Sequence, residues 1–432
     1  MRFAYQNPDL ERRLASARTF DELEAALQEV TRLVPSFLAP GIYGRQVYCK
    51  GLDAVIPTLL GKLRLPTIEL EPSNADVCVL ATRFYDTGGH SKVAADICAK
   101  LGAERVTIAF TDLYRQLKYR QQINEDRATS RFPRRALVLL NAQTLIEKII
   151  ELHAILSAMR PSRILLLCNH MDIVAVTGAW AFRSVTEFIH HADHLPALGA
   201  TLPFSRHVDL NYPIHMACLE AGLAPTYAAM AVQRPAAPVA PARDGRLRIA
   251  TCGSLIKYRQ PGRYRWVDYV RAALQAPDSE LIHIGPVDDA FRAEVSTALA
   301  EAGIDPARYV YAGVVPNLMA ELAARGVDVF LGSYPTSGGR ANLEAMAAGL
   351  PTIVAHDPDA PPLVPDRWPL PQFTAVSAPE ELPPLLARLD ELSRSARSPA
   401  ALASVEAQLG RFDDYIAGKA LLPLEDVGTL PD

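Results

Sequence analysis

Cysteine is sparse and unpatterned in this chain. There are 6 in 432 residues (Cys49, Cys78, Cys98, Cys168, Cys218 and Cys252), with no CxxC pair. That spacing gives no zinc-finger or disulfide frame. Cys78, Cys168 and Cys252 sit in or beside apolar strand-like runs, where a thiol behaves as a small hydrophobe. All six read as reduced thiols of a cytoplasmic protein. A charge excess is also missing: 44 basic residues stand against 48 acidic ones, net −4. This argues against nucleic acid or an anionic membrane as partner, and no polybasic amphipathic helix is present to hold a bilayer surface. The N-terminus, MRFAYQNPDLERR, lacks the apolar core of a signal peptide. No run reads as a membrane span. The most apolar long window, 136–159, is interrupted by Asn141, Glu147, Lys148, Glu151 and His153 and reads as a strand followed by an amphipathic core helix. Short-period repeats are absent.

What is there points to a folded chain of more than one core. Apolar residues make up 49% and charged ones 21%, a globular balance, and the length calls for two or three domains. Residues 1–72 read as helical. Leu14, Phe20, Leu23, Ala26, Leu27, Val30 and Leu33 recur at helical spacing between Leu10 and Leu33. Pro35, Pro40 and Gly41 interrupt the pattern, and a second helical piece covers 52–63. From Val77 strands alternate with helices: strands at 77–81, 105–110, 136–140, 163–168 and 185–190, helices at 91–101 and 144–159. A proline-rich joint at 234–241 stops the pattern. It restarts with strands at 247–251, 280–284, 309–311, 327–331 and 352–355 and helices at 266–274, 318–325 and 340–348. Such alternation gives parallel sheets covered on both faces. The expected organisation is an N-terminal helical segment (1–72), a Rossmann-like domain (73–232), a linker (233–246), a second Rossmann-like domain (247–400), and a C-terminal helix and tail (401–432). Ligands of such sheets bind at the carboxyl ends of the strands, so the expected site is a cleft between the two halves.

The most informative stretch is 331–354, LGSYPTSGGRANLEAMAAGLPTIV. A strand enters a small, flexible turn, Ser337-Gly338-Gly339, and a helix follows. Gly349 stands where a helix-ending glycine belongs and Pro351 blocks continuation. Free N–H groups and the dipole at such a helix start attract an anion, and missing side chains let a phosphate approach. Glu344 lies on the same helical stripe, roughly 10 Å further along the axis, where a carboxylate can accept from ribose hydroxyls. An ordinary strand–helix turn with a solvated glutamate is the alternative.

Taken in order, these residues resemble the GT-B glycosyltransferases over about 75–430. Gly253 followed by Lys257 is like the glycine and basic residue that meet the donor phosphates. Ile282-His283-Ile284-Gly285 is like the next strand and glycine. Ala312-Gly313-Val314-Val315-Pro316 is like the loop that cups the nucleobase. Ser337-Gly338-Gly339 with Glu344 to Pro351 is the most specific block. The resemblance implies an α/β chain of two Rossmann-like domains facing a cleft, with the helical N-terminus as an addition. It implies a nucleoside-diphosphate sugar as donor substrate, transferred to a protein, glycan or small-molecule acceptor, and a metal-independent reaction with no cofactor. Retaining members usually carry an acid eight positions before the ribose glutamate, and here that place is Thr336. The Thr-Ser-Gly-Gly form is closer to inverting protein-modifying relatives, and the stereochemistry stays open.

The first half adds two features. Phe84-Tyr85-Asp86-Thr87-Gly88-Gly89-His90 resembles the glycine loop after the first strand, with Gly88 and Gly89 facing the donor and Asp86 a candidate catalytic group; a tight turn is the alternative. His190-His191-Ala192-Asp193-His194 follows an apolar strand. His190, His191, Asp193 and His194 are candidates for the base that takes a proton from an acceptor hydroxyl or amide. Lys257 and the helix start at Ser337 would stabilise the departing diphosphate. A metal reading of the histidine run ranks lower, because neighbours on an extended chain point to opposite faces; capped histidines at a strand end are the third reading. Asp357-Pro358-Asp359 matches a metal-holding pattern of another transferase fold but reads as loop. Two further functions remain: a sugar-nucleotide epimerase on the same scaffold, and a non-catalytic nucleotide-sugar or protein-binding module. The segment 1–72 either docks a protein or another subunit or, as preferred, packs on the first Rossmann half.

Overall fold

The computed structural model describes residues 4–39, 42–72, 76–83, 89–114, 137–191, 195–232, 238–240, 244–357 and 370–421. The chain divides into two compact units, Met1–Ala229 with Phe412–Leu421, and Met230–Arg411.

The first unit opens with three helices, α1 (Pro8–Ser16), α2 (Phe20–Thr31) and α3 (Lys50–Lys62). The single periodic stretch from Leu10 to Leu33 is thus two helices. Thr19 breaks it, accepting from the Glu22 N–H while Glu22 reaches back to the cap, a reciprocal capping box. Then follow β1 (Val77–Ala81), α4 (Gly89–Leu101), β2 (Val106–Phe110), β3 (Leu137–Leu139), α5 (Leu145–Met159), β4 (Arg163–Leu166), α6 (Ile173–Trp180), β5 (Thr186–His190), β6 (Arg206–Asp209), α7 (Tyr212–Glu220) and β7 (Thr226–Tyr227). The sheet is parallel throughout, in the order β3-β2-β1-β4-β5-β6-β7.

The N-terminal helices pack on this unit, the preferred of the two alternatives. Buried Asp53 on α3 accepts from the Gly199 N–H (2.6 Å) and from the Thr201 N–H and hydroxyl (2.9 and 2.7 Å). Glu24 on α2 caps the first turn of α5 by accepting from the Leu145 and Ile146 N–H groups. Lys148, read as part of a polar face, is fully buried instead, its ammonium donating to the Thr111 and Asp112 carbonyls. Phe412–Leu421 belongs here through a buried ion pair: Arg163 binds Glu187, the Tyr415 hydroxyl donates to Glu187 (2.6 Å), and Arg163 also donates to the Ile416 carbonyl.

The second unit holds β8 (Leu247–Cys252), α8 (Trp266–Ala273), β9 (Ser279–Ile284), α9 (Asp289–Glu301), β10 (Tyr309–Gly313), α10 (Leu318–Ala324), β11 (Val329–Leu331), α11 (Gly339–Ala347), β12 (Thr352–Ala355) and β13 (Phe373–Val376), then α12 (Leu382–Leu386), α13 (Leu389–Ala396) and α14 (Pro399–Ile416), whose last turn belongs to the first unit. Its parallel sheet runs β10-β9-β8-β11-β12-β13. Two apolar layers cover it. Trp266, Tyr269, Phe291 and Tyr334 belong to one, and Phe330, Ile282, Leu322 and Leu350 to the other. A sheet buried on both faces explains why its strands read as unbroken apolar runs.

Candidate functional site

In the second unit the candidate donor residues collect at the carboxyl ends of the strands. The chain leaves β8 at Gly253, whose N–H donates to the Ile284 carbonyl (3.0 Å); the Gly285 N–H donates to the Gly313 carbonyl (2.8 Å). Gly285 has φ +132°, and a Cβ there would stand 2.2 Å from the Gly253 carbonyl oxygen. Only glycine permits both the dihedral and the close approach. Behind this loop lies a buried chain of hydrogen bonds. Trp266 Nε1–H donates to the Tyr309 hydroxyl (3.0 Å), which lies 2.7 Å from His283 Nδ1, and His283 Nε2 lies 3.3 Å from the Gly253 carbonyl. Burial lowers the His283 imidazole to about 4, so at neutral pH it is uncharged. The network then assigns the proton to Nε2, donating to Gly253, with Nδ1 accepting from Tyr309. Sequence reading placed His283 in a strand and gave it no part in holding this loop.

Lys257 ends the short 3-10 turn Leu255–Lys257 that follows Gly253. Its ammonium lies 3.4 Å from the Ser337 carbonyl, and the Thr336 N–H donates to the Lys257 carbonyl. The loops after β8 and β11 therefore meet, 80 residues apart in sequence. Gly338 is the N-cap of α11, with extended backbone and, as a glycine, no side chain of its own to cap the helix. A Cβ on it would stand 3.8 Å from Lys257 Nζ, so the cation lies beside the helix start. The Ser337 hydroxyl accepts from Asn342 Nδ2 (2.7 Å), which leaves its own proton to donate. Asn342, one turn into the helix and buried, was not picked out from the sequence.

Glu344 is 7% exposed, and its Oε1 accepts from Arg340 Nε at 2.9 Å. The i,i+4 spacing was visible in the sequence and its meaning was not: Arg340 holds the Glu344 carboxylate in place one turn along the helix. The helix stops as expected. The Gly349 N–H bonds Met346 O and the Leu350 N–H bonds Ala345 O, the paired bonds of a glycine-ended helix. Val314, just past β10, is 52% exposed. The Asp357 carboxylate accepts from the Arg263 N–H at 2.8 Å.

In the first unit Asp86, Gly88, Asp193 and His194 lie outside the described residues, and Gly89 opens α4. His190 ends β5 and is buried, its Nδ1 3.3 Å from Asp209 Oδ1. His191 is half-buried, with Nδ1 3.3 Å from the Ile189 carbonyl and its ring 4.7 Å from that of His90. The two neighbours thus go to different surroundings, as alternation on a strand requires. Asp209 was not singled out in the sequence, yet it gathers three imidazoles: His190, His207 Nε2 (2.9 Å) and His215 Nδ1 (3.2 Å). Burial alone would raise its carboxyl; His207, His190 and His215 together hold it well below the usual range. Burial lowers the His190 imidazole against the pull of Asp209, and burial with Asp209 nearby pushes the Cys218 thiol well up. Register brings the group together, since His190 pairs with Asp209 across β5 and β6.

No family model matches the chain, and no curated protein matches it in sequence. Solved structures do match in fold. Anabaena HepE, in complex with UDP and glucose, superposes with a TM-score of 0.58 at 13% identity, covering 79% of this chain and 98% of its own. The lipopolysaccharide outer core galactosyltransferase WaaB superposes at 0.55 with 14% identity, covering 80% and 100%. A putative UDP-N-acetylglucosamine 2-epimerase from Listeria monocytogenes gives 0.50 at 13% identity, covering 80% and 98%. With two parallel α/β sheets and these neighbours, the chain has the GT-B fold of glycosyltransferases.

Proposed function

We propose that the chain transfers a sugar from a nucleoside-diphosphate donor to an acceptor hydroxyl or amide, with the donor held on the second unit. One observation carries the reading: Lys257 stands beside the Ser337-Gly338-Gly339 start of α11, so a cation, a hydroxyl and a helix N-terminus converge where a diphosphate would sit. Gly253 and Gly285 keep the backbone behind it close, Val314 borders the base, and Glu344 takes the ribose hydroxyls. HepE in its UDP and glucose complex supports the class of donor. As the sugar leaves, charge grows on the diphosphate, and Lys257 with the helix dipole stabilises it in place of a divalent ion. The acceptor proton needs a base. His191 with His90 beside it is the less buried of the described candidates; His190, buried beside Asp209, and Asp86, Asp193 and His194 are the others. The scattered cysteines, without a paired pattern, fit a cytoplasmic location.

Incubation with nucleotide sugars, with and without acceptor extracts, tests the reading. Transfer needs an acceptor. The Listeria neighbour favours one competitor, an epimerase, which would convert the nucleotide sugar alone. Glu344→Ala is expected to weaken nucleoside-diphosphate binding by about 1.5–3 kcal/mol, the worth of a charged hydrogen-bond acceptor, without loss of fold. Unchanged affinity in calorimetry removes Glu344 from the site.

A further inference from the structure

We propose that His190, His207, Asp209 and Cys218 form a tetrahedral transition-metal site in the first unit, suited to zinc. The four candidate ligand atoms, His190 Nδ1, His207 Nε2, Asp209 Oδ1 and Cys218 Sγ, lie within 4.8 Å of one another. They come from three elements: His190 from β5, His207 and Asp209 from β6, Cys218 from α7. The site therefore does not depend on adjacent residues of one strand converging, the objection that ranked a metal low from the sequence.

Four of the six ligand separations lie close to those around an ion, and all six lie within 4.8 Å, so small side-chain adjustments would close the site. Around zinc, bonds of about 2.0–2.1 Å to nitrogen or oxygen and about 2.3 Å to sulfur put tetrahedral N–O edges near ~3.3 Å and N–S edges near ~3.6 Å. The chain has N–O separations of 3.3 Å (His190–Asp209) and 2.9 Å (His207–Asp209). Its N–S separations are 3.6 Å (Cys218–His190) and 4.0 Å (Cys218–His207). Two imidazoles, a thiolate and a carboxylate suit zinc and its neighbours and not magnesium or calcium, which take oxygen. The outer shell is also present. His215 Nδ1 lies 3.2 Å from the other Asp209 oxygen, orienting the carboxylate to offer one oxygen to the ion. His190, Asp209 and Cys218 are buried, and the His207 side chain, 11% exposed, marks the route in. Four protein ligands saturate a tetrahedral ion, so its role is to tie β5, β6 and α7 together. On binding, the Cys218 thiol releases its proton to solvent, and His190 and His207 bind as neutral imidazoles whose proton has moved to the other ring nitrogen.

The full chain, stripped with chelator, is loaded with zinc or cobalt(II), dialysed, and its metal content measured. The expected result is about one ion per chain, and for cobalt the d–d bands of a tetrahedral site with a thiolate charge-transfer band. Cys218→Ser should abolish the charge-transfer band. His207→Gln, at the least buried of the four ligands, should release the ion at a chelator concentration the wild type withstands. A wild-type chain that retains no metal, or variants with the wild type's content and spectrum, would overturn the site and leave a hydrogen-bonded histidine–aspartate network. None of these readouts depends on sugar transfer.

Discussion

Lys257→Ala is expected to lower turnover about 10²–10³-fold at saturating donor, the range for removing one preorganised group aimed at developing charge. The donor KM should change little by comparison. A diphosphate gains charge as the glycosidic bond breaks, so a cation beside it binds the transition state more strongly than the ground state. The geometry suits that role. Among the described residues the Lys257 ammonium has one long hydrogen bond, 3.4 Å to the Ser337 carbonyl, and no carboxylate neutralises it. Its side chain is not a core element, so the variant should melt as the wild type does. Steady-state kinetics at varied donor decides the matter, and unchanged turnover removes Lys257 from the chemistry.

Gly285→Ala is expected to destabilise the second unit by about 3–5 kcal/mol, combining a strained backbone with an overlap that packing cannot relieve. The overlap is with the Gly253 carbonyl, a backbone atom already facing His283, so relief requires the loop after β8 to move. Gly303→Ala is the control. Gly303 also has positive φ, +69°, but nothing lies within 4 Å of its added Cβ, so only the strain of about 1–2 kcal/mol remains. Urea melts of both variants measure the difference. Equal losses would show that the close approach at Gly285 does not matter.

Much of the second unit was legible because its elements announce their ends. β12 lies at Thr352–Ala355 as read, and α11 differs by one residue at each end from its expected 340–348, since Gly338 opens it and Gly349 and Pro351 close it. Elements without that punctuation stayed hidden. α6 is apolar on every face, so its period vanishes. β6 reads RHVD, three of its four residues polar, because His207 and Asp209 turn into a buried polar cluster and not an oily core. One helix became two because a capping box outweighed the periodicity around Thr19. The candidate site divides in the same way. Local motifs pointed to Gly253, Lys257, Gly285, Ser337 and Glu344. His283, Asn342, Asp209 and Cys218 gain their partners from strand register and loop contact, which no spacing along the chain encodes.

The central claim is that the second unit holds a nucleoside-diphosphate sugar. Thermal unfolding of the full chain with a panel of nucleoside diphosphates and their sugars tests it most directly. A ligand present at a hundred times its dissociation constant adds about 2.7 kcal/mol of stability. The account predicts that at least one nucleoside diphosphate raises the melting temperature and that Glu344→Ala removes most of the rise. A panel without any shift, at millimolar ligand and with the wild type folded, would contradict it.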